Sequence, residues 1–227
     1  KQSKCLQRNI LLSTQNQLKT LKNQKTSNFE VKMISIIFHS VCGNTYLLAD
    51  KFYQTFKNYT KDVNIYRVKD NNLRALRDTF PVAKEFYNEI IKIPETSPDQ
   101  LLKSKLIIMG SPTYFGNVSA EMKAFMDSFA DFWINADFAG KYFASFSSAG
   151  SLEGEIEKCL GTLNTFAQHM GMVPIPPPAN LYADDKFGSA YGITHYSGRL
   201  ADLRPSEHKL EIVEKYVEYL NKFINWN

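Results

Sequence analysis

Three short polar segments hold most of the chemically usable side chains: Ser40-Val41-Cys42-Gly43-Asn44-Thr45, Ser111-Pro112-Thr113-Tyr114-Phe115-Gly116-Asn117 and Ser147-Ser148-Ala149-Gly150-Ser151. Each mixes small residues with hydroxyl groups, and none contains Lys or Arg. Such segments suit an anion held by amides and hydroxyls at a helix N-terminus. The Gly-Lys-Ser/Thr of a P-loop is absent, so a tightly held monophosphate fits better than an exchanging triphosphate. Thr113 and its neighbouring amides offer partners to the edge of a ring, and Tyr114 and Phe115 can shape its face. Together the three segments predict a site for a flat, phosphorylated cofactor.

The elements that must position these segments are legible as alternating apolar runs and amphipathic stretches. Each polar segment follows an apolar run. The first strand is expected over Met33 to His39, with Ile34, Ile36, Ile37 and Phe38 apolar on both faces as a buried parallel strand requires. Further strands are expected over Val63 to Val68, Leu106 to Met109, Tyr142 to Phe146 and about Met172 to Ile175, the last closed by Pro176, Pro177 and Pro178. A helix starts near Asn44 (Leu48, Phe52, Phe56), and a second is capped by Ser119 (Met122, Phe125, Met126, Phe129). A third runs from about Glu153 to Met170, and the last follows Pro205 and Ser206, burying Leu210, Val213, Val217, Leu220 and Ile224. The stretch from Asn72 to Lys92 reads as helix broken at Pro81, and Leu181 to Arg204 as a Tyr- and Gly-rich excursion. The fold class is α/β: a three-layer, doubly wound parallel sheet of five strands in the order 2-1-3-4-5. In that order ligands bind outside the carboxyl ends of strands one and three.

Composition narrows the function classes. The chain has 227 residues, 44% of them hydrophobic, enough for one sizeable domain, and no apolar run of the length a membrane span needs. Its formal charge of +4 resides in residues 1–32, which carry seven Lys or Arg and one acid; the remainder carries 20 basic and 22 acidic residues. A nucleic-acid partner therefore lacks its electrostatic footprint. Residues 1–32 read as a basic, polar extension, either disordered or upstream of a start at Met33, or else a mitochondrial-type targeting segment, with a single domain over residues 33–227. Cys5, Cys42 and Cys159 show no metal-ligand spacing, and their odd number is unlike a disulfide framework, which points to a reducing, cytoplasmic setting. No metal site is expected, and Cys42 is read as a loop residue without a catalytic part.

The ordered set Ser40 to Thr45, Ser111 to Asn117, Phe132-Trp133, Gly140-Lys141, Phe146 to Gly150 and His169-Met170-Gly171-Met172 resembles the flavodoxin-like NAD(P)H:quinone oxidoreductases. The subgroup it resembles is the tryptophan-repressor-binding-protein type, with NADPH-dependent FMN reductases nearby. The resemblance implies noncovalent FMN, NAD(P)H as co-substrate and ping-pong transfer of two electrons to a quinone or similar small acceptor. It also implies a homodimer or homotetramer. Under it Ser40, Val41, Cys42, Gly43, Asn44 and Thr45 hold the phosphate and ribityl chain. Pro112, Thr113, Tyr114, Phe115, Gly116, Ser147, Ser148, Ala149, Gly150 and Ser151 line the isoalloxazine. Trp133 and His169 take catalytic places, as the aromatic wall of the substrate position and as a flavin-site histidine. The chain departs from the family at Cys42, where an aromatic residue is common, and at Tyr114, where Arg is. The alternative is a flavodoxin-type FMN electron carrier for protein partners, without nicotinamide activity of its own; a flavodoxin-like scaffold that has lost FMN is a third reading.

Overall fold

The computed structural model of the chain describes residues 33–182 and 188–224. The proposed extension over residues 1–32 lies outside them. Strand β1 (Met33–Phe38) has nearly continuous apolar side chains, and the structure shows why: Ile34, Ile36 and Phe38 enter one core layer while Ile37 enters the other. Its neighbours are β2 (Val63–Arg67) on one side and β3 (Ser104–Pro112) on the other, all parallel, with Phe38 opposite Arg67 and Gly110. Strand β4 (Tyr142–Ala149) follows β3, with Pro112 opposite Ser148.

The fifth place in the sheet is shared. Strand β5 (Val173–Pro174) pairs with the start of β4, at Tyr142 and Phe143, and β6 (Ile193–Tyr196) pairs with its end, from Phe146 to Ala149. The order is β2-β1-β3-β4-β5, with β6 beside β4, so the expected 2-1-3-4-5 winding holds and the sheet has six strands rather than five. The excursion after residue 181 thus returns to the sheet. At the junction, Gly192 passes so close to β4 that a Cβ there would sit 2.3 Å from the Ser145 carbonyl oxygen. Only glycine permits that approach.

One face of the sheet is covered by α1 (Asn44–Lys57) and the carboxyl-terminal α7 (Glu207–Ile224), packed through Leu48, Phe52, Val213, Val217 and Leu220. Ile212 and Tyr216 complete the buried stripe of α7, while Leu210 lies half-buried at its margin. The other face carries α4 (Ala120–Asp127) and α6 (Ile156–His169), through Met122, Phe125, Met126, Cys159, Leu163 and Ala167. Ser119 caps α4 as expected, its Oγ accepting from the Met122 amide at 3.2 Å. Between β2 and β3 lie α2 (Leu73–Thr79), a short 3-10 turn starting at Pro81 and α3 (Tyr87–Lys92). A short α5 (Ala130–Ile134) joins α4 to β4. Among the described residues no helix is long and apolar enough to cross a membrane.

Candidate functional site

All three polar segments meet at the carboxyl edge of the sheet. The first enters α1 through Gly43, whose φ of 92° is a left-handed value that favours glycine, and whose missing Cβ makes room for the Phe86 ring. No side chain caps α1, and its first turn holds no acid. Its free amides and the positive end of its dipole are left for an anion. Asn44 is buried, and its Nδ2 donates to the Ala201 carbonyl at 2.7 Å. Among the described residues two buried side-chain atoms have no hydrogen-bond partner, Asn44 Oδ1 and His39 Nδ1. Both lie in the segment where β1 hands over to α1. An orphaned buried acceptor is costly unless a ligand supplies the donor.

The loop after β3 is a tight turn, closed by Tyr114 N to Asn117 O at 2.9 Å and Asn117 N to Tyr114 O at 3.1 Å. Phe115 and Gly116 take φ values of 52° and 73°, as in a type I′ turn. That turn holds the Phe115 ring wholly in solvent. A left-handed, fully exposed phenylalanine loses both backbone comfort and burial, which is the arrangement of a side chain waiting to stack on a flat ring.

The hydroxyl groups at the end of β4 mostly hold the loops to one another. Thr45 Oγ1 and Ser148 Oγ lie 2.8 Å apart, Thr113 Oγ1 and Ser147 Oγ 2.9 Å apart, and Ser147 Oγ donates to the Ser111 carbonyl at 2.7 Å. Ser147 is wholly buried beneath the site and lines no cavity there, because β4 runs on to Ala149 and its pleat turns that side chain inward. Burial raises the Cys42 thiol above its ordinary pKa, against the lowering effect of Arg204, so it stays protonated at neutral pH.

Two contiguous cavities result. One, of about 260 Å³, lies between Ser40, Asn44, Thr45, Thr113, Ser148 and Gly150. The second, of about 630 Å³, continues past Thr113 and Gly150 to Phe115, Gly116, Ser151 and Gly154. Both also touch Arg199, which the sequence reading left out. Arg199 stands on a fourth loop, after β6, whose Ser197, Gly198 and Ala201 close the smaller cavity. Its conformation is fixed from several sides. Ser197 N donates to Ala149 O at 2.8 Å, and Leu203 N donates to Ser197 O at 2.9 Å. His195 Nε2 lies 2.8 Å from Leu203 O, with burial lowering the ring's pKa. Arg204 Nη1 donates to the Cys42 carbonyl at 2.7 Å, tying this loop to the first. The three polar segments hold no basic residue, and the fold adds Arg199 to the lining of both cavities. The available signal was faint: a β-type stretch, Ile193-Thr194-His195-Tyr196, ahead of Ser197-Gly198-Arg199, with only Ile193 and Tyr196 to mark it as a strand.

Trp133 and His169 line neither of these two cavities. Helix α6 starts beside the third loop and, at about 1.5 Å per residue, carries its last residue, His169, roughly 20 Å away. There Gly171 accepts from Gly140, just before β4 begins, so His169 sits toward the amino edge of the sheet, at one end of a groove that runs past Phe166 and Lys123 to Gly116 and Asn117 of the second loop. Trp133 lies on α5, 57% exposed, in the connection that leads back to the start of β4. Neither lines the two cavities between the loops.

The family model for NADPH-dependent FMN reductases matches residues 34–185. An NAD(P)H dehydrogenase (quinone) of Archaeoglobus fulgidus is 32% identical over 161 residues, covering 70% of this chain and 83% of that protein. Another, of Deinococcus radiodurans, is 28% identical over 163 residues, with 70% and 80% covered. Among solved structures, a flavodoxin, WrbA-like protein from Agrobacterium tumefaciens superposes with a TM-score of 0.58 at 18% identity, over 85% of this chain and 97% of that one. Oxidised Flavodoxin 2 from Bacillus cereus gives 0.56 at 18%, over 84% and 99%. The structural likenesses speak to the fold alone.

Proposed function

Since the chain belongs to the NADPH-dependent FMN reductase family, we propose that it is an oxidoreductase that passes two electrons from NAD(P)H to a quinone or similar small acceptor, nucleotide and acceptor binding in turn. The observation that carries this reading is the paired cavity: an uncapped helix N-terminus with Arg199 beside it, opening into a broader space flanked by the exposed Phe115. An anion at one end and a flat ring at the other match the two ends of FMN. FMN supplies the two-electron chemistry when bound.

The chain's own residues bind and orient. The amides of Asn44 and Thr45 and the Arg199 guanidinium take the phosphate, and Asn44 Oδ1 accepts from a hydroxyl of the linking chain. Thr113, Gly150 and Ser151 offer backbone groups along the ring edge, with Tyr114 and Phe115 at its face. Ser147 braces the loops from below, and no catalytic part is proposed for Trp133 or His169 of the same chain. Val41, Pro112, Ala149 and Gly116 exclude water from the rim.

The test is the visible spectrum of the purified full chain, followed anaerobically through addition of NADH or NADPH and then duroquinone. A flavin spectrum that bleaches with nucleotide and returns with quinone is the expected result. Yellow protein unmoved by either nucleotide would overturn the enzymatic reading, and protein that takes up no FMN would overturn the cofactor site.

A further inference from the structure

A cleft of about 730 Å³ adjoins the phosphate end of the cofactor site and shares Val41, Cys42, Tyr114 and Ala201 with the smaller cavity. Arg199 alone lines all three cavities. The walls of the cleft are apolar, built by Leu76, Phe80, Pro81, Val82 and Leu200, and its volume is that of a small-molecule site. Phe80 and Leu200 are 47% and 75% exposed, which leaves apolar surface for an occupant to cover. Because the cleft lies beyond the phosphate end, its occupant is remote from the redox step. It can be the far half of a ligand whose reacting end reaches the ring cavity.

The polar groups around the cleft select among such ligands. His39, 3% exposed at the end of β1, places Nε2 at 3.1 Å from Asp70 Oδ2 and 3.8 Å from Glu121 Oε2. The Asp70 side chain is 1% exposed, and its Oδ1 accepts from the Asn72 amide at 2.7 Å. Burial alone would raise this carboxyl's pKa, but the bonds from His39 and from the Asn72 and Leu73 amides outweigh it and hold it below the usual carboxylate range. An ionised carboxylate only accepts, so Nε2–H is the donor, and in the neutral ring Nδ1 is an acceptor that has found no donor. A hydrocarbon occupant leaves it so, whereas a flat ring with an amino group, such as adenine, supplies one. Glu121 and Asp202 add carboxylates to the lining, and apart from Arg199 no Lys or Arg stands among the lining residues. The remaining titratable groups there, Cys42 and Tyr114, are kept neutral by burial, which raises both pKa values.

We propose that this cleft seats the adenosine half of the nicotinamide nucleotide and that its carboxylates make NADH, rather than NADPH, the preferred electron donor. This rests on the flavin oxidoreductase reading. The nicotinamide reaches the ring cavity, the diphosphate passes Arg199, and the adenine lies among Phe80, Pro81 and Leu200. Arg199 has five N–H donors, enough to serve the flavin phosphate and the diphosphate together. Glu121 and Asp202 accept from the ribose hydroxyls, the pairing by which an acidic residue recognises an unphosphorylated ribose. A 2′-phosphate in the same place meets two carboxylates, and the one cation of the lining is already engaged. The remote half of the donor thus supplies binding energy and selectivity, while the reacting half is left to the flavin.

In the FMN-loaded full chain, with duroquinone as acceptor, kcat/KM for NADH should exceed that for NADPH by at least about tenfold. It should exceed that for reduced nicotinamide mononucleotide, which has no adenosine, by at least about tenfold as well. Asp202→Asn should narrow the first ratio, and Val82→Trp, which fills the cleft from a half-buried position, should narrow the second. Binding is read without turnover from the carbon-13 methyl signals of Leu76 and Val82, which line neither cofactor cavity. Adenosine diphosphoribose should move these signals, and oxidised nicotinamide mononucleotide should leave them still. That readout uses the native chain, so it decides the matter even where Val82→Trp does not fold. Equal or better use of NADPH, a mononucleotide ratio unmoved by Val82→Trp, methyl signals indifferent to adenosine diphosphoribose, or purified protein whose flavin is FAD would each overturn the proposal. If the protein takes up no FMN, the flavin reading falls, while the same signals in the flavin-free chain still decide whether the cleft holds adenosine. If nucleotide bleaches the flavin but the signals stay still, only the proposal falls.

Discussion

Two orphaned atoms, Asn44 Oδ1 and His39 Nδ1, stand five residues apart on one strand-to-helix junction and mark the two cavities that adjoin there. Asn44 lay within a segment whose chemistry was readable from its small and hydroxyl residues. His39 did not, because a histidine closing an apolar strand is ordinary until Asp70 and Glu121 are seen beside it. The same holds for Arg199, whose partners are distant in sequence. Arg199→Ala should weaken FMN binding by about tenfold or more, the scale of a lost charge-assisted contact to phosphate. Riboflavin, which lacks the phosphate, should bind both proteins alike, and the melting temperature should hold because Arg199 is exposed. Flavin-fluorescence quenching measures both affinities, and an equal loss for riboflavin would take the phosphate contact away from Arg199.

Strand β6 carries the loop that the sequence hid. Its backbone can lie against β4 because Gly192 has no side chain to meet the Ser145 carbonyl. Gly192→Ala should push β6 off β4, lowering stability by about 1–3 kcal/mol and weakening FMN uptake although residue 192 touches neither cavity. Thermal melts and FMN titration of this variant check the pair of effects, and stability loss with unchanged FMN affinity would show that the loop keeps its place without the strand. Strands β1 and β3 were legible because parallel strands buried on both faces read as unbroken apolar runs. The end of β4 was not. Ser147 and Ser148 look like loop residues, yet they are buried strand residues whose hydroxyls find partners in Ser111 and Thr45. The distance of His169 from the two cavities was not legible either, since a motif fixes neighbours along the chain and not which end of a 14-residue helix adjoins them.

The molecule as a whole couples this site to its stability through Asp70, which joins the chain after β2 to His39 at the end of β1. Because the folded pKa of Asp70 is depressed, its contribution is fully present above the unfolded carboxylate value and is lost as pH falls through the folded one. The stability difference between the native chain and Asp70→Asn should therefore be constant near neutrality and shrink below about pH 4. Denaturant titrations across that range test it, and a difference that grows on acidification would contradict the depressed pKa.

The divided fifth strand also bears on how the molecule meets its own copies. A long, flat sheet edge invites a stranger's strand to pair with it. Here one rim is broken into Val173–Pro174 and Ile193–Tyr196, and Pro174 has no amide hydrogen to give. At the opposite rim Arg67 already bonds to Pro94 and bridges to Glu95. Among the described residues neither border offers a long template, which guards a fold that exposes Phe115 and an apolar cleft against growing into a fibril.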